Sequence, residues 1–259
     1  MNNRPLILIT NDDGVHSPGL LALIEAAYGL GDLLVIAPEN QQTNMGRGAL
    51  AGENVGRIRI KKINTQIGQI ESYAILGSPA QAVAHGILEL SERTPDICLS
   101  GINYGENLGL AYTCSGTLGA AFEADSFGIR SIAFSRAIPF EKQRSNQFHK
   151  MDWEIVKSLA RKIIFDAINE GIIYGARILN VNFPEFTEQE TEMRITKQAN
   201  MNCGKYVNPG NRDLNNALML QWIKNSEISK APEDTDIYAI HFDNVISLTP
   251  LTPIMSIPI

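Results

Sequence analysis

Two adjacent carboxylates, Asp12 and Asp13, directly follow a short apolar run near the start of the chain. At the end of a buried strand they would repel one another, and a cation would remove that cost. Hard divalent ions such as Mg²⁺ and Mn²⁺ prefer oxygen ligands, and Mg²⁺ usually keeps several waters, which leaves room for a substrate phosphate. The pair therefore predicts a metal site, although an Asp-Asp-Gly sequence alone also fits a tight turn with a capping aspartate.

A second segment suited to phosphate chemistry consists of Ser115, Gly116 and Thr117, which precede a helix rich in alanine and glycine. The N-terminus of a helix offers free backbone N–H groups and the positive end of the helix dipole, and both favour a bound phosphate. A plain N-cap serine is the simpler explanation of the same residues. The segment is thus a candidate phosphate site that needs support from its neighbours.

The loop at 101–109 supplies that support. Its three glycines permit close approach of a ligand to the backbone, and Asn103 and Asn107 offer neutral oxygen ligands and amide donors. The loop lacks the Lys and Ser/Thr ending of a P-loop and is not a dinucleotide-binding fingerprint. In an open parallel sheet, ligands bind beyond the carboxyl ends of the strands. Because the three segments all lie at such positions, they predict one common site.

The elements that must position these segments are strands alternating with helices. Continuous apolar runs predict buried strands at 6–10, 33–37, 96–100, 129–135 and 177–182. Helices are predicted at 17–28, 78–90, 115–126 and 153–170, the first two opening with a Ser-Pro pair. Alternating polarity over 57–76 predicts an antiparallel hairpin. This order implies a mostly parallel α/β sheet covered by helices on both faces.

After Pro184 the pattern changes. Short strands are predicted at 193–197, 218–223 and 245–249, separated by loops rich in Asn, Gly, Asp and Pro. A long polar loop is predicted at 136–149. With no internal repeat or linker, we expect a single domain over 1–259 with a C-terminal appendage from about 185 to 259. That appendage could be an antiparallel extension, an oligomerisation arm or both.

Composition narrows the classes of function. The net charge of −6 argues against a general nucleic-acid binder, because phosphate backbones require a basic surface. No signal region and no apolar stretch of about 18 residues is evident, so we expect no membrane association. The three cysteines, Cys98, Cys114 and Cys203, are far apart and form no CxxC pair. They indicate reduced thiols and a cytoplasmic location.

Together these features resemble the survival protein SurE family of 5'/3'-nucleotidases. The matching segments occur in the family's order and span nearly the whole chain: ILITNDDGVHSPGL (7–20), VIAP (35–38), GSP (77–79), SGINYGENLG (100–109), SGTLGAAFEA (115–124), LNVNFP (179–184) and SLTPL (247–251). The resemblance implies a three-layer α/β/α Rossmann-like fold with an extended C-terminal β-rich oligomerisation region, used in a homodimer or homotetramer. It also implies hydrolysis of nucleoside 5'- and 3'-monophosphates with one Mg²⁺ or Mn²⁺.

The resemblance also implies roles for individual residues. Asp12 and Asp13 would bind the metal, with Asn103 and Thr43 as further ligands. The phosphate contacts would fall on Asn11, Ser115, Gly116 and Thr117, with Asn107 close to the substrate. Thr43 replaces the family's usual serine, keeping the hydroxyl and adding a methyl group. This departure bears on metal geometry and substrate preference more than on the type of reaction.

The expected mechanism is hydrolysis by a metal-activated water, with the helix end at 115–117 stabilising the phosphoryl oxygens. An aspartyl-phosphate on Asp12 is also compatible with the sequence, but a carboxylate that binds metal is a poor nucleophile. The predicted catalytic residues are Asp12 and Asp13; His16 lies close in sequence but is not included among them. Two alternatives remain: a nucleotide-binding protein of this fold that has lost turnover, and a metal-dependent transferase, for which no acceptor motif is present.

Overall fold

A mostly parallel sheet of nine strands forms the centre of the molecule. The computed structural model describes residues 4–142, 148–254 and 256. The strands, numbered in chain order, are β1 Leu6–Thr10, β2 Asp32–Pro38, β3 Ile58–Thr65, β4 Gly68–Ile75, β5 Ile97–Tyr104, β6 Ser131–Arg136, β7 Ile178–Phe183, β8 Met193–Ile195, β9 Gly204–Tyr206, β10 Trp222–Lys224 and β11 Ile246–Leu251. The order across the sheet is β3-β4-β2-β1-β5-β6-β7-β11-β8, and β9 pairs separately with β10.

Helices cover both faces of this sheet. Their bounds are α1 Pro18–Ala27, α2 Pro79–His85, α3 Gly116–Ser126, α4 Glu154–Glu170 and α5 Asp236–His241. In β1, Ile7 and Ile9 belong to the core shared with α1 and α4, whereas Leu8 belongs to the core shared with α2 and α3. Successive side chains of a strand point to opposite faces, so a strand buried on both sides is apolar throughout. The predicted three-layer α/β/α architecture is confirmed.

The sheet changes direction of growth next to β1. The chain passes from β1 to β2 on one side, pairs β2 with β4 and β4 with β3, and then returns to place β5 on the other side of β1. Such a reversal of strand order opens a crevice at the carboxyl ends of the two strands beside it. Asp12 and Asp13 follow β1, and Asn103 lies near the end of β5, so the chain's topology brings them to this crevice.

The C-terminal region differs from the sequence expectation in detail. The strand predicted at 218–223 is wrong in position, because Leu218 and Met219 are exposed and the strand begins only at Trp222. The strand β9 and the helix α5 were not predicted. β11 pairs antiparallel with β7 and parallel with β8, so β11 and β8 belong to the main sheet.

The division into one domain with an appendage stays a prediction. Residues 143–147 of the predicted long loop lie outside the described residues.

The expectations about the cysteines and about membrane-spanning helices can be compared with the structure. Cys98, Cys114 and Cys203 are all free thiols, as predicted. Among the helices of the described ranges, none combines the length and the apolar character needed to cross a bilayer.

A buried carboxylate ties the C-terminal region to the rest of the fold. Asp236, with no exposed surface, accepts hydrogen bonds from the N–H groups of Gly109 (2.8 Å), Ala199 (2.9 Å) and Ile237 (2.8 Å) and from the Tyr112 hydroxyl (2.5 Å). Four donors on one carboxyl group compensate the loss of its hydration. Asp236 thereby fastens α5 to the loop that follows β5.

We expect Asp236→Asn to lower the free energy of unfolding by about 2–4 kcal/mol, because the new amide hydrogens would face backbone N–H donors and leave buried donors unpaired. Urea denaturation measures the change. The matched control is Asp234→Asn, two residues earlier, whose partner Lys197 is also exposed (Nζ to Oδ2 2.6 Å). An exposed pair contributes little, so no measurable change is expected there. Equal losses in both variants would contradict the anchoring role.

Candidate active site

The turn after β1 is held by Asn11. This fully buried side chain donates from Nδ2 to the Gly14 carbonyl oxygen (3.1 Å) and the Ser17 hydroxyl (2.6 Å), and its Oδ1 accepts from the Gly14 N–H (3.2 Å). Gly14 has a φ of +98°, a conformation that glycine adopts without strain. Ser17 also caps α1 by accepting from the Leu20 N–H. Asn11 therefore fixes the direction in which the following carboxylates leave the strand.

Asp12 packs against the N-terminus of α3. Its Oδ1 accepts a hydrogen bond of 2.8 Å from the hydroxyl of Thr117, which is fully buried. The backbone of Gly116 lies so close that an added Cβ would be 2.7 Å from the Asp12 Cβ and 2.8 Å from Oδ2. Ser115 caps the helix by accepting from the Leu118 N–H (3.1 Å). The predicted helix start is thus confirmed, and it abuts the carboxylate.

Asp13 is held by the neighbouring strand and by the loop after β2. Its Oδ2 accepts from the backbone N–H of Tyr104 (3.0 Å), and its Oδ1 accepts from Nε2 of Gln41 (3.2 Å). The first bond exists because β5 runs four residues beyond its predicted end at Ser100. Asp13 therefore sits in the crevice between β1 and β5 with both oxygens oriented.

The two carboxylates are only 4% and 6% exposed. Burial, followed by the charge of Asp13, raises the pKa of Asp12 to about 7, and burial raises the pKa of Asp13 to about 6. Neither forms an ion pair with a basic side chain in the part of the chain that the structure describes. Two adjacent carboxyl groups in this state need either protons or a cation to be stable.

Asn107 extends the hydrogen-bonded network behind Asp12. Its Nδ2 donates to the hydroxyls of Thr117 (3.2 Å) and Ser135 (2.8 Å), and its N–H donates to Oδ1 of Asn182 (2.8 Å). Its carbonyl oxygen accepts from the side-chain amides of Asn180 (2.9 Å) and Asn182 (3.1 Å). Two strands and the start of α3 therefore position Asn107 at the site.

A cleft opens in front of these groups. Of the residues singled out in the sequence, Asp12, Asp13, Thr43, Asn103, Asn107, Ser115 and Gly116 line it. Asn103 donates from Nδ2 to the Gly105 carbonyl oxygen (2.6 Å), so its amide oxygen is the end left for a ligand. Thr43 lies on an exposed part of the loop after β2. Three separate loops and one helix end thus meet in a single concave site.

Two predicted site residues lie behind the lining. The side chains of Asn11 and Thr117 have no exposed surface, and both are engaged in holding the Asp12–Asp13 turn. A phosphate contact by either therefore stays a prediction. The cleft also contains residues that were not assigned to the site from the sequence: Gln41, Tyr104 and Glu106, which lie in loops that were expected there, and Phe140, Lys142, Asn202, Cys203 and Trp222, which come from distant segments. Asn180 and Asn182 of β7 could have been identified from the sequence, since polar residues at alternate positions of a buried strand need hydrogen-bond partners.

The donor set of the cleft is suited to a hard cation. The described residues contain no cluster of three or more His, Cys, Asp or Glu side chains that could hold a metal. A cation here would therefore be held by the two buried carboxylates together with neutral oxygens, which Asn103 and Thr43 can supply. Such an all-oxygen set favours Mg²⁺ or Mn²⁺ over softer metals. A bound cation would also balance the negative charge of Asp12 and Asp13, which have no basic partner among the described residues.

Comparisons with known proteins agree with this arrangement. A family model described as Survival protein SurE matches residues 7–205. A relative from Methanocella arvoryzae named 5'-nucleotidase SurE is 36% identical over 248 residues, 95% of this chain and 91% of its own length. A relative of the same name from Methanocaldococcus jannaschii is 35% identical over 255 residues, with the same coverage. The crystal structure of the SurE protein from Aquifex aeolicus superposes with a TM-score of 0.76 at 31% identity, covering 97% of this chain and 95% of that one.

The sequence resemblance, the sheet order and the position of the cleft therefore lead to one assignment. The family model matches residues 7–205 of this chain, and relatives about 35% identical align along nearly their whole length. The chain therefore belongs to the survival protein SurE family.

Proposed function

We propose that this chain is a metal-dependent nucleotidase that hydrolyses nucleoside 5'- and 3'-monophosphates to nucleoside and phosphate. One observation carries the proposal: two adjacent buried carboxylates, Asp12 and Asp13, face the N-terminus of α3 in a single cleft. The arrangement offers a place for a cation beside a place for a phosphate. The name 5'-nucleotidase SurE, carried by the relatives from Methanocella arvoryzae and Methanocaldococcus jannaschii, supports the same reaction class.

Asp12, Asp13, Asn103 and Thr43 are the residues that would hold the metal. A divalent cation bound there supplies a Lewis acid for a phosphoryl oxygen and makes water a stronger nucleophile near neutral pH. Thr117 keeps Asp12 in place, and the Tyr104 N–H does the same for Asp13. These fixed hydrogen bonds preorganise the site.

The start of α3 provides the complementary charge. The first N–H groups of an α-helix have no acceptor within the helix, so those of Gly116 and Thr117 are available to phosphoryl oxygens. The Ser115 N–H already donates to the Ala111 carbonyl oxygen (3.0 Å). Donors fixed before the reaction stabilise negative charge that develops in the transition state. Ser115 and Gly116 line the cleft directly, and Asn107 contributes a buried amide beside them.

The test of this function is phosphate release from 5'-AMP and 3'-AMP by protein supplied with Mn²⁺ or Mg²⁺, with EDTA-treated protein in parallel. We expect release from both nucleotides, abolished by EDTA. Binding of nucleotide to folded, metal-loaded protein without release from either would instead support a nucleotide-binding protein of the same fold.

Thr117 gives a sharp prediction about the support of the site. Thr117→Val keeps the shape but removes the hydroxyl that joins Asn107 to Asp12. We expect kcat/KM for 5'-AMP to fall by about 10- to 100-fold, equivalent to about 1.4–2.8 kcal/mol. Thr117→Ser retains the hydroxyl and should stay within a few-fold of wild type. Equal kinetics of the valine variant and wild type would contradict the role.

Homodimer or homotetramer formation and a cytoplasmic location stay predictions. The loop between β9 and β10 exposes several apolar side chains, which supports self-association: Leu214 is 81% exposed, Leu218 50%, Met219 91% and Leu220 43%. Exposed apolar clusters of this kind commonly form contacts between proteins. Sedimentation velocity measures the state of association.

A further inference from the structure

The cleft in front of Asp12 and Asp13 has an apolar wall to which the proposed reaction gives no role. This wall consists of Leu110, Ala111 and Trp222, which line the cleft together with the polar groups described above. Leu110 is 41% exposed, and Trp222 is half-buried. Binding sites for small molecules commonly combine such apolar and aromatic surface with a few fixed polar groups. The wall is therefore suited to an uncharged part of a ligand.

The first part of the apolar wall lies directly before the start of α3. Leu110 and Ala111 belong to a short 3₁₀ helix, Gly109–Thr113. The hydrogen bond from the N–H of Ser115, the N-cap of α3, to the Ala111 carbonyl oxygen closes an interval of four residues. Such an interval is about one helical turn. The apolar surface therefore begins next to the place proposed for the phosphate.

The two-stranded sheet of β9 and β10 supplies the indole of the wall. Trp222 packs so closely on Gly204 that an added Cβ there would lie 2.2 Å from the indole Nε1. The ring of Tyr206 meets the indole edge to face, with centroids 4.7 Å apart and planes at 70°. The Leu110 N–H donates to the Met201 carbonyl oxygen (3.0 Å), which lies just before β9. Packing and a backbone hydrogen bond thus connect the two parts of the wall.

A nucleoside monophosphate has the same two-part character as the cleft. Its phosphate is an anion that suits a metal and helix N–H groups, whereas its base is a flat aromatic ring. Such a ring gains free energy when its faces leave water and pack on apolar or aromatic side chains. With the phosphate in the corner formed by Asp12, Asp13 and the start of α3, the ribose carries the base into the rest of the same cleft.

We propose that Leu110, Ala111 and Trp222 form the subsite for the nucleobase, with the indole packing against the base. The inference rests on the proposed function and names the part of the substrate that this wall recognises. Stacking uses the faces of a base and not its hydrogen-bonding edge, so the wall should accept purines and pyrimidines alike. It does not touch the reacting phosphate, so it acts on affinity and not on the chemical step.

The test compares a ligand that has a base with one that lacks it. The first is the phosphonate analogue of 5'-AMP, in which a methylene group replaces the ester oxygen and prevents hydrolysis. The second is the same ribose phosphonate without the base. Calorimetric titration into protein loaded with Mn²⁺ measures both dissociation constants. We expect Trp222→Ala to weaken binding of the AMP analogue about tenfold, with little change for the ribose phosphonate.

Two further variants separate contact with the base from support of the fold. Trp222→Phe keeps an aromatic face and should retain most of the affinity. Leu110→Ser removes exposed apolar surface and should weaken the AMP analogue about threefold. Its matched control is Leu88→Ser, which alters a leucine that is 69% exposed on the helical turn after α2. The control should leave both affinities unchanged.

The fluorescence of Trp222 reports the contact without disturbing the wall. The chain has two tryptophans, Trp153 and Trp222, so the emission of Trp153→Phe comes from Trp222 alone. The AMP analogue should quench this emission. The ribose phosphonate should leave it unchanged, because only the base reaches the indole.

Two results would overturn the nucleobase subsite. One is an equal change in affinity for the two ligands, or none for either, in Trp222→Ala and Leu110→Ser. The other is emission from Trp222 that the AMP analogue does not alter. None of these measurements requires turnover, so absence of phosphate release from 5'-AMP is a separate result, which overturns the proposed hydrolysis itself.

Discussion

Replacing Asp12 with asparagine is expected to lower kcat/KM for 5'-AMP by about a thousandfold and, at the same time, to raise the melting temperature of the metal-free protein at pH 8. The activity falls because one of two charged metal ligands is lost, and a thousandfold corresponds to about 4 kcal/mol of transition-state stabilisation. Stability rises because a buried carboxylate beside Asp13 is replaced by a neutral amide of the same shape.

The pH dependence follows from the pKa values of the pair. Asp12 and Asp13 have folded-state pKa values of about 7 and about 6, above the ordinary 3.8, so the folded state binds more protons than the unfolded state between these limits. Their stabilising contribution is fully present below pH 3.8 and is lost as the pH rises through 6 and 7. The gain from Asp12→Asn should therefore be larger at pH 8 than at pH 5.

Thermal unfolding in EDTA at the two pH values measures this effect, with Asp166→Asn as the control. Asp166 is an exposed residue of α4, so its replacement should change neither the activity nor the melting temperature. A loss of stability in Asp12→Asn at pH 8 would contradict the idea that the metal-free pair is strained by its charge.

Gly116→Ala is expected to lower kcat/KM about a hundredfold and to weaken metal binding. The new Cβ would lie 2.7 Å from the Asp12 Cβ and 2.8 Å from Oδ2, so the carboxylate must move. It cannot move freely, since its Oδ1 is bonded to the buried Thr117 hydroxyl. A displacement of this size is enough to impair a preorganised site. Steady-state kinetics and titration of Mn²⁺ into the metal-free protein measure the two effects.

The control for this substitution is Gly77→Ala, beside the N-cap of α2. There the added Cβ would be 3.3 Å from Cβ and Oε1 of Gln81, a milder approach than at Gly116 and one that does not involve the carboxylate pair. We expect activity within a few-fold of wild type. If Gly116→Ala also kept its metal affinity and its activity, the close packing of α3 on Asp12 would have no functional consequence.

Much of the fold could be predicted because parallel strands and their helices leave strong local patterns. The strand at 6–10 agrees with β1 in both bounds, and the Ser-Pro starts at 17 and 78 mark α1 and α2. The C-terminal elements could not be predicted as well. β8, β9 and β10 have only three residues each, too few to show a periodic pattern, and they depend on partners far away in sequence.

Some features of the site could likewise be predicted from local sequence and others could not. Asp12, Asn103 and Ser115 were predicted to share one site because each lies at the carboxyl end of a strand or at the start of a helix, at the same edge of the sheet. The bond from the Tyr104 N–H to Asp13 depends on how far β5 continues, which no side-chain pattern specifies. Trp222 lines the cleft from the two-stranded sheet of β9 and β10. The position of that sheet depends on tertiary packing and is not specified by a local sequence pattern. The roles of the predicted residues in binding metal and phosphate remain predictions.

The most direct test of the central claim is the return of activity when metal is restored to EDTA-treated protein. Phosphate release from 5'-AMP is measured as Mn²⁺ is titrated back into wild type and Asp12→Asn side by side, with nucleotide binding followed in the same samples. Release should rise with bound metal in wild type and stay near background in the variant. Equal release from both, or release from wild type that persists in EDTA, would contradict a metal site at Asp12 and Asp13.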